Sequence, residues 1–183
     1  MPPKPDSRLQ ERILRAAERL WAGHGEHGLT LRSVARAAGT TTPTVYKRFR
    51  SKHELQVALA QRFKAEMNEY CFSASRLEDV YRRYVTFAEE NPHKYDLLWR
   101  TWTEIFHPRG PRPLRAWFLT QLAQRFGGKP EDYAEGFYAV FLISHGAATL
   151  LTVSGDDEAH SEVRKHFPRI GDKLLGNIGL FRK

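Results

Sequence analysis

The chain has one cysteine, Cys71, among 183 residues. That excludes an intrachain disulfide and any zinc site built on several thiolates, and it suits a reducing cytoplasm. The signatures of common catalytic sites are also missing: there is no HExxH, no Walker loop, no G-x-S-x-G and no paired cysteine. The histidines form no metal-binding pattern. His24 and His27 straddle glycines, and His160 and His166 are not spaced at i, i+3 or i, i+4. Glu89 and Glu90 are adjacent, so on a helix they point apart, as solvated surface residues do. The expectation is a protein that is not an enzyme, with no cofactor and no metal. No run alternates apolar and polar residues long enough to build a sheet, which leaves an all-α fold. The opening MPPKPDSR lacks an apolar stretch after its basic residue, so no secretory signal is expected. Residues 136–155 carry no Asp, Glu, Lys or Arg over about the length of a membrane span. They do include Ser144, His145, Gly146, Thr149, Thr152 and Ser154, so burial within a domain or between two subunits is the better reading.

The charge that is present is uneven. Formal net charge is +8, and residues 1–52 hold eleven Lys or Arg against four acids, which is +7. A basic unit beside a nearly neutral one suggests that the first part faces a polyanion.

Pro2, Pro3 and Pro5 mark a loose basic arm. A first helix is expected from Ser7, with Gln10 as capping partner and Gly23 and Gly25 as its stop. Thr30 caps a second helix through Leu31, Val34, Ala35 and Ala38. Gly39 supplies a sharp turn, and Thr41 or Thr42 caps a third helix with Pro43 in its first turn. A fourth opens on the box Ser51 to Glu54 and carries Leu55, Ala58, Leu59, Phe63 and Met67 down one side, ending near Cys71. Further helices are expected over residues 77–88, from Pro92 to Phe106, over 114–126, from Pro130 to Val153 with Gly155 as the stop, and over 158–175 with a kink or split at Pro168. Residues 107–113 read as a loop.

The third helix is the informative one. On a helical wheel Pro43, Thr44, Lys47 and Arg48 share one arc, Val45 and Phe49 lie opposite, and Tyr46 sits on the boundary. One arc thus offers cations and a hydroxyl while the other anchors the helix. Arg bonds guanine bidentately, and Thr hydrogen-bonds or touches a thymine methyl. Tyr46 and Lys52 are placed to hold phosphates, which sets register without reading sequence. Two short helices joined at Gly39, with this face outward, make a helix-turn-helix. The DNA-binding residues expected are Thr30, Arg32, Thr41, Thr42, Pro43, Thr44, Tyr46, Lys47, Arg48 and Lys52.

The order Thr30, Leu31, Val34, Ala35, Ala38-Gly39, Thr44-Val45-Tyr46, Phe49, Ser51-Lys52 and Glu54-Leu55 resembles the DNA-binding domain of TetR/AcrR-family transcriptional regulators, over residues 8–60. The resemblance implies a homodimer that reads a palindromic operator on double-stranded DNA with one third helix per half-site. It implies repression relieved by a small apolar or aromatic effector, in the cytoplasm, with no membrane partner. Thr40, Pro43 and Arg48 depart from the family's usual residues, and the last two lie on the groove-facing arc. The expected division is a DNA-binding domain over 1–52 and a larger helical bundle for ligand binding and dimerisation over 53–183, with helix 4, about 52–71, as connector.

The second part is rich in aromatic residues. At helical spacing such rings are commonly core, but helical bundles also enclose apolar ligands between them. By the resemblance, a pocket of Phe63, Tyr84, Tyr95, Trp99, Trp102, Phe106, Trp117, Phe141 and His145 is expected. YVTFAEENPHKYDLLW and FLISHGAATLL resemble a His-Gly-containing variant of the family's C-terminal domain. In such proteins the last two long helices form a four-helix dimer bundle, a role that residues 136–153 and 158–175 would inherit. Two other readings of the whole chain are an architectural or protein-controlled DNA binder with no small ligand, and an all-α enzyme that happens to be basic.

Overall fold

The computed structural model describes residues 7–106, 110–153 and 158–182. The Pro2, Pro3 and Pro5 arm and the expected stop at Gly155 lie outside the described residues, as does the start of the expected loop at His107. Among the described residues the fold is all helical, with no strand. The α-helices are α1 Ser7–Gly28, α2 Leu31–Ala37, α3 Thr42–Tyr46, α4 Lys52–Phe72, α5 Leu77–Glu90, α6 Pro92–Arg100, α7 Trp102–Ile105, α8 Pro113–Phe126, α9 Ala134–Val153 and α10 Glu158–Gly176. Two 3-10 turns, Pro130–Tyr133 and Ile178–Phe181, complete the order.

The chain forms two compact units. One comprises residues 1–65 with 93–108, and the other 66–92 with 109–183. The first unit therefore runs past residue 52 and takes in α6 and α7. Its core explains why. Ile13, Ala16, Ala17 and Trp21 of α1 are fully buried, as are Val34 of α2, Val45 of α3, and Leu55, Leu59 and Phe63 of α4. Each large apolar side chain taken from water contributes about 1.5–3 kcal/mol. From α6, His93 accepts a 2.6 Å hydrogen bond at its carbonyl from Trp21 Nε1.

Helix α1 does not stop at Gly23. Helical structure extends to Gly28, but it is broken at the second expected stop, Gly25, which is non-helical at φ 56°. A Cβ there would lie 2.9 Å from His93 Nδ1, so this break also makes room for the imidazole. Thr30 is the α2 cap. Its hydroxyl accepts from the Ser33 N–H, and the Ser33 hydroxyl accepts from the Thr30 N–H, each at 3.0 Å. The α4 box is split. Ser51 Oγ accepts from the Glu54 N–H at 3.0 Å, but the Glu54 carboxylate accepts from the Arg50 N–H at 2.7 Å rather than from Ser51. The expected single helix from Pro92 to Phe106 is also divided, at Thr101, whose buried hydroxyl donates to the Leu97 carbonyl at 2.8 Å. A hydroxyl bonded back to the preceding turn perturbs a helix at that point.

In the second unit α5 packs against both α9 and α10. It buries Leu77, Val80, Tyr81, Tyr84, Val85, Phe87 and Ala88. Pro168 does not split α10, which is continuous from Glu158 to Gly176. Side chains from α5 hold it in place. Tyr81 donates to the Pro168 carbonyl at 3.0 Å or to Asp172 Oδ1 at 2.8 Å, and Arg82 meets both Asp172 oxygens at 2.7 Å. Gly171 lets this approach happen, since a Cβ there would sit 2.4 Å from the Tyr81 ring. The expected helix from Pro130 begins as a 3-10 turn and becomes α-helical only at Ala134.

Helix α9 is apolar on more sides than its own chain covers. The stretch Pro130–Thr152 is long and apolar enough to cross a bilayer by length and composition, and 33% of its most apolar window is buried inside the chain. Tyr138, Leu142 and Leu150 are exposed by 41%, 62% and 59%. With exposed Gly146 they recur every fourth residue and form one row along the helix.

Candidate nucleic-acid interface

Helix α3 owes its position to three local features. Gly39 takes φ 62°, the left-handed region, and turns the chain after α2. Thr41 caps α3: its Oγ1 accepts from the Thr44 N–H at 3.4 Å and lies 2.8 Å from the Thr44 hydroxyl. Val45 and Phe49 are buried on the inner side.

The outer side is open. Thr41, Pro43, Tyr46 and Lys47 are exposed, and Thr42, Thr44, Arg48 and Lys52 are partly so. On α2, Arg32 is exposed, and Thr30 is exposed at its cap. All ten residues expected to face DNA thus keep solvent access within one unit. The hydroxyls of Thr30, Thr41 and Thr44 already serve as caps or cap partners, so any DNA contact from them shares those bonds.

The electrostatics sort the cations into two groups. Arg15 pairs with Glu11, and Arg62 with Glu11 and Glu18, all on α1 and α4. Hydrogen bonds from Arg62 and then Arg15 hold the Glu11 carboxyl below its ordinary range. Around the turn, Arg32, Arg36, Lys47 and Arg48 have no carboxylate partner among the described residues. The carboxylates of this unit that form ion pairs do so with cations of α1, α4 and α6, which leaves these four cations around the turn uncompensated among the described residues. Such a set of cations raises the local concentration of a polyanion.

Lys52 is the exception within the expected set. Its Nζ lies 3.6 Å from Glu26 Oε1 and 3.4 Å from the Glu26 carbonyl. Glu26 also receives Arg100 Nη1 at 2.5 Å, and Arg100 is held in turn by Asp96 of α6. The charge of Lys52, with Arg100, keeps the Glu26 carboxyl below its ordinary range. Glu26 is the residue that pattern reading passed over. It lies next to the broken end of α1, where nothing in the spacing marks it as a partner of α4 or α6.

The nine ring residues expected to line a pocket fall into both units. In the first, Phe63 and Tyr95 are buried. Trp99 stacks on Trp102 with centroids 4.3 Å apart, Trp102 on Phe106 at 3.7 Å, and Tyr95 meets Trp99 edge-on at 5.8 Å. Lys64 Nζ stands 4.2 Å over Phe106 and donates to the Ile105 carbonyl. In the second, Tyr84 meets Phe141 edge-on, Phe141 stacks on His145 at 6.1 Å, and Trp117 meets Phe72 at 5.8 Å. Burial lowers the proton affinity of the His145 imidazole. Two open clefts, of about 440 and 500 Å³, also belong to the second unit, and neither is lined by any of the nine.

Residues 13–59 match the family described as bacterial regulatory proteins, tetR family. The protein named HTH-type transcriptional repressor AcnR is similar in two organisms, Corynebacterium efficiens and Corynebacterium glutamicum. Each is 36% identical over 95 residues, covering 52% of this chain and 47% of the relative. The chain thus spans about half the length of these relatives. Two solved structures share the fold over nearly the whole chain. A TetR variant from Acinetobacter baumannii, solved in complex with minocycline, gives a TM-score of 0.67 at 20% identity, covering 93% of this chain and 96% of that one. A structure described as a putative TetR-family transcriptional regulator from Mesorhizobium loti gives 0.66 at 18% identity, covering 94% and 98%.

Proposed function

We propose, from the match of residues 13–59 to the tetR family of bacterial regulatory proteins, that the chain is a DNA-binding transcriptional repressor of that family. It acts in the cytoplasm, as a homodimer on a palindromic operator. The observation that carries this reading is the two-sided character of α3: Val45 and Phe49 are buried, while Pro43, Thr44, Lys47 and Arg48 face outward and the two cations lack carboxylate partners among the described residues. A short helix presented in this way enters the major groove with its first residues at the base edges. One copy reaches few bases, and pairing two copies is the physical route to useful specificity. The exposed row Tyr138, Leu142, Gly146 and Leu150 supports a second copy, since contiguous apolar surface of this kind marks association sites. No enzymatic role is proposed.

Regulation by a small effector extends the proposal. An effector in either ring cluster releases DNA only if it binds more tightly to the form that does not fit the operator, and a tenfold loss of operator affinity needs about 1.4 kcal/mol of that difference. The α6 helix offers a route, because His93 and Arg100 on it hold Trp21 and Glu26 of α1. One observation favours the alternative of a DNA binder controlled by another protein: the nine ring residues are divided between the units instead of lining one cleft.

The test is selection of bound fragments from random duplex DNA, followed by affinity titration at several salt concentrations. The expected outcome is an inverted repeat with half-sites one helical turn apart, bound by two copies with a steep salt dependence. Binding that is independent of sequence, or a stoichiometry of one, would overturn the proposal.

A further inference from the structure

Arg112 and Arg115 depart from the pattern of the other guanidinium groups in the second unit. Arg76 and Arg125 lie on Glu78, Arg82 on Asp79 and Asp172, Arg164 on Glu89, and Arg182 on Asp132. Neither Arg112 nor Arg115 has a carboxylate partner among the described residues. Arg83 and Arg169 lack one too, but Arg83 donates to the Tyr70 carbonyl and the Ser73 hydroxyl, and Arg169 is exposed to water. Arg112 and Arg115 are only partly exposed, and the Nε atoms of both are buried with no acceptor. Buried N–H groups of a charged side chain ordinarily have acceptors.

The surroundings define what would fit. Arg112 Nη1 donates to the Tyr138 hydroxyl at 3.1 Å, which leaves that hydroxyl its own proton to give. The Arg115 guanidinium lies 5.9 Å from the centroids of both the Phe137 and the Tyr138 rings. These two rings meet edge-on at 5.5 Å and present apolar surface beside the cations. Two planar cationic forks, one hydroxyl proton and two aromatic walls therefore converge on one place.

We propose that Arg112, Arg115 and Tyr138 form a binding site for a small organic carboxylate with a flat apolar body. The two carboxylate oxygens match the planar fork of a guanidinium, and the apolar body lies along Phe137 and Tyr138. Inorganic phosphate would meet the charge but leave the rings uncovered. The binding claim stands on this geometry alone. Only its consequence for DNA rests on the function proposed above.

The test is titration of the full-length, nitrogen-15-labelled protein with benzoate, following the arginine Nε–H resonances, with benzamide and inorganic phosphate in parallel. Two Nε–H signals, assigned by their loss in Arg112→Gln and Arg115→Gln, are expected to shift saturably with benzoate. Benzamide and phosphate are expected to bind at least roughly tenfold more weakly, and each substitution to weaken benzoate by a similar factor. Arg115→Lys keeps the charge and loses the fork. It is expected to bind benzoate less well than the native protein, and it serves if the glutamine variants do not fold. Shifts that do not saturate, that benzamide or phosphate reproduces equally, or that survive the substitutions would overturn the site. So would variants that loosen self-association while the native protein ignores benzoate, because the arginines would then serve a carboxylate of a second copy. The same samples are titrated with operator DNA. Loss of DNA binding alone would count against the regulator and leave this site standing.

Discussion

Lys52 rests on Glu26, with its ammonium 3.6 Å from the carboxylate and 3.4 Å from the carbonyl oxygen of the same residue. The pair joins the broken end of α1 to the first residue of α4, next to the uncompensated face of α3. A fixed negative charge beside a phosphate-binding surface opposes duplex approach whatever its sequence. Glu26→Gln is therefore expected to raise affinity for all duplexes and to steepen the salt dependence by about one released counterion. Affinity titrations against operator and random DNA measure both. A drop in affinity would mean instead that Glu26 holds Lys52 in its binding position.

Arg48 and Lys52 are expected to differ in kind. Arg48→Ala should cost about 1–3 kcal/mol at one base position and relax preference there. Lys52→Ala should weaken all duplexes alike and flatten the salt slope. A panel of single-base operator variants separates the two behaviours, and equal, sequence-blind losses from both would contradict the assignment of Arg48 to a base edge.

Much of this surface was legible in the chain itself. The caps at Thr30 and Thr41, the turn at Gly39 and the inward pair Val45 and Phe49 are local, and each depends on neighbours within four residues. Long-range contacts escaped. Helix α1 breaks not at Gly23 but at Gly25, where Trp21 and Gly25 meet His93 far along the chain. Helix α10 passes Pro168 because Tyr81 and Arg82 hold Asp172. Neither contact leaves a periodic mark. The aromatic residues show the same limit: spacing placed them on helix faces, but not which rings share a unit.

The Tyr81 and Gly171 contact leaves no room for even a methyl group. Gly171→Ala would put a Cβ 2.4 Å from the Tyr81 ring and push that ring off Pro168 and Asp172. The expected loss is about 1–3 kcal/mol, the usual range for overpacking. Urea unfolding should show it, and Gly23→Ala serves as the contrast, since a Cβ there meets nothing within 4 Å.

Glu78 is the acid best placed to couple stability to pH. Its carboxylate accepts from Arg125 at 2.6 Å and lies 3.6 Å from Arg76. The bond from Arg125 holds the carboxyl below its ordinary value of 4.5. A carboxyl depressed in the folded state stabilises above the unfolded value, and that contribution is lost as pH falls through the folded one. Glu78→Gln should therefore cost about 0.5–1 kcal/mol at neutral pH. The gap to the native protein should close below pH 4.5. Unfolding curves at neutral and acid pH provide the comparison, and a gap that persisted in acid would exclude the ionic cause.

Leu142, 62% exposed at the middle of the α9 row, is the residue whose replacement should act on assembly alone. Leu142→Glu is expected to leave helical content unchanged and to turn a dimer into a monomer in sedimentation experiments. If the native protein already sediments as a monomer, the paired-helix reading fails.

The row on α9 repeats every fourth residue, and Gly146 stands in it without a side chain. If two identical helices cross there, each mutation on the row is present in both copies at the contact. A change that adds one methyl group to the gene product adds two at the seam, so this part of the helix should tolerate less variation than its exposure in a single copy would suggest.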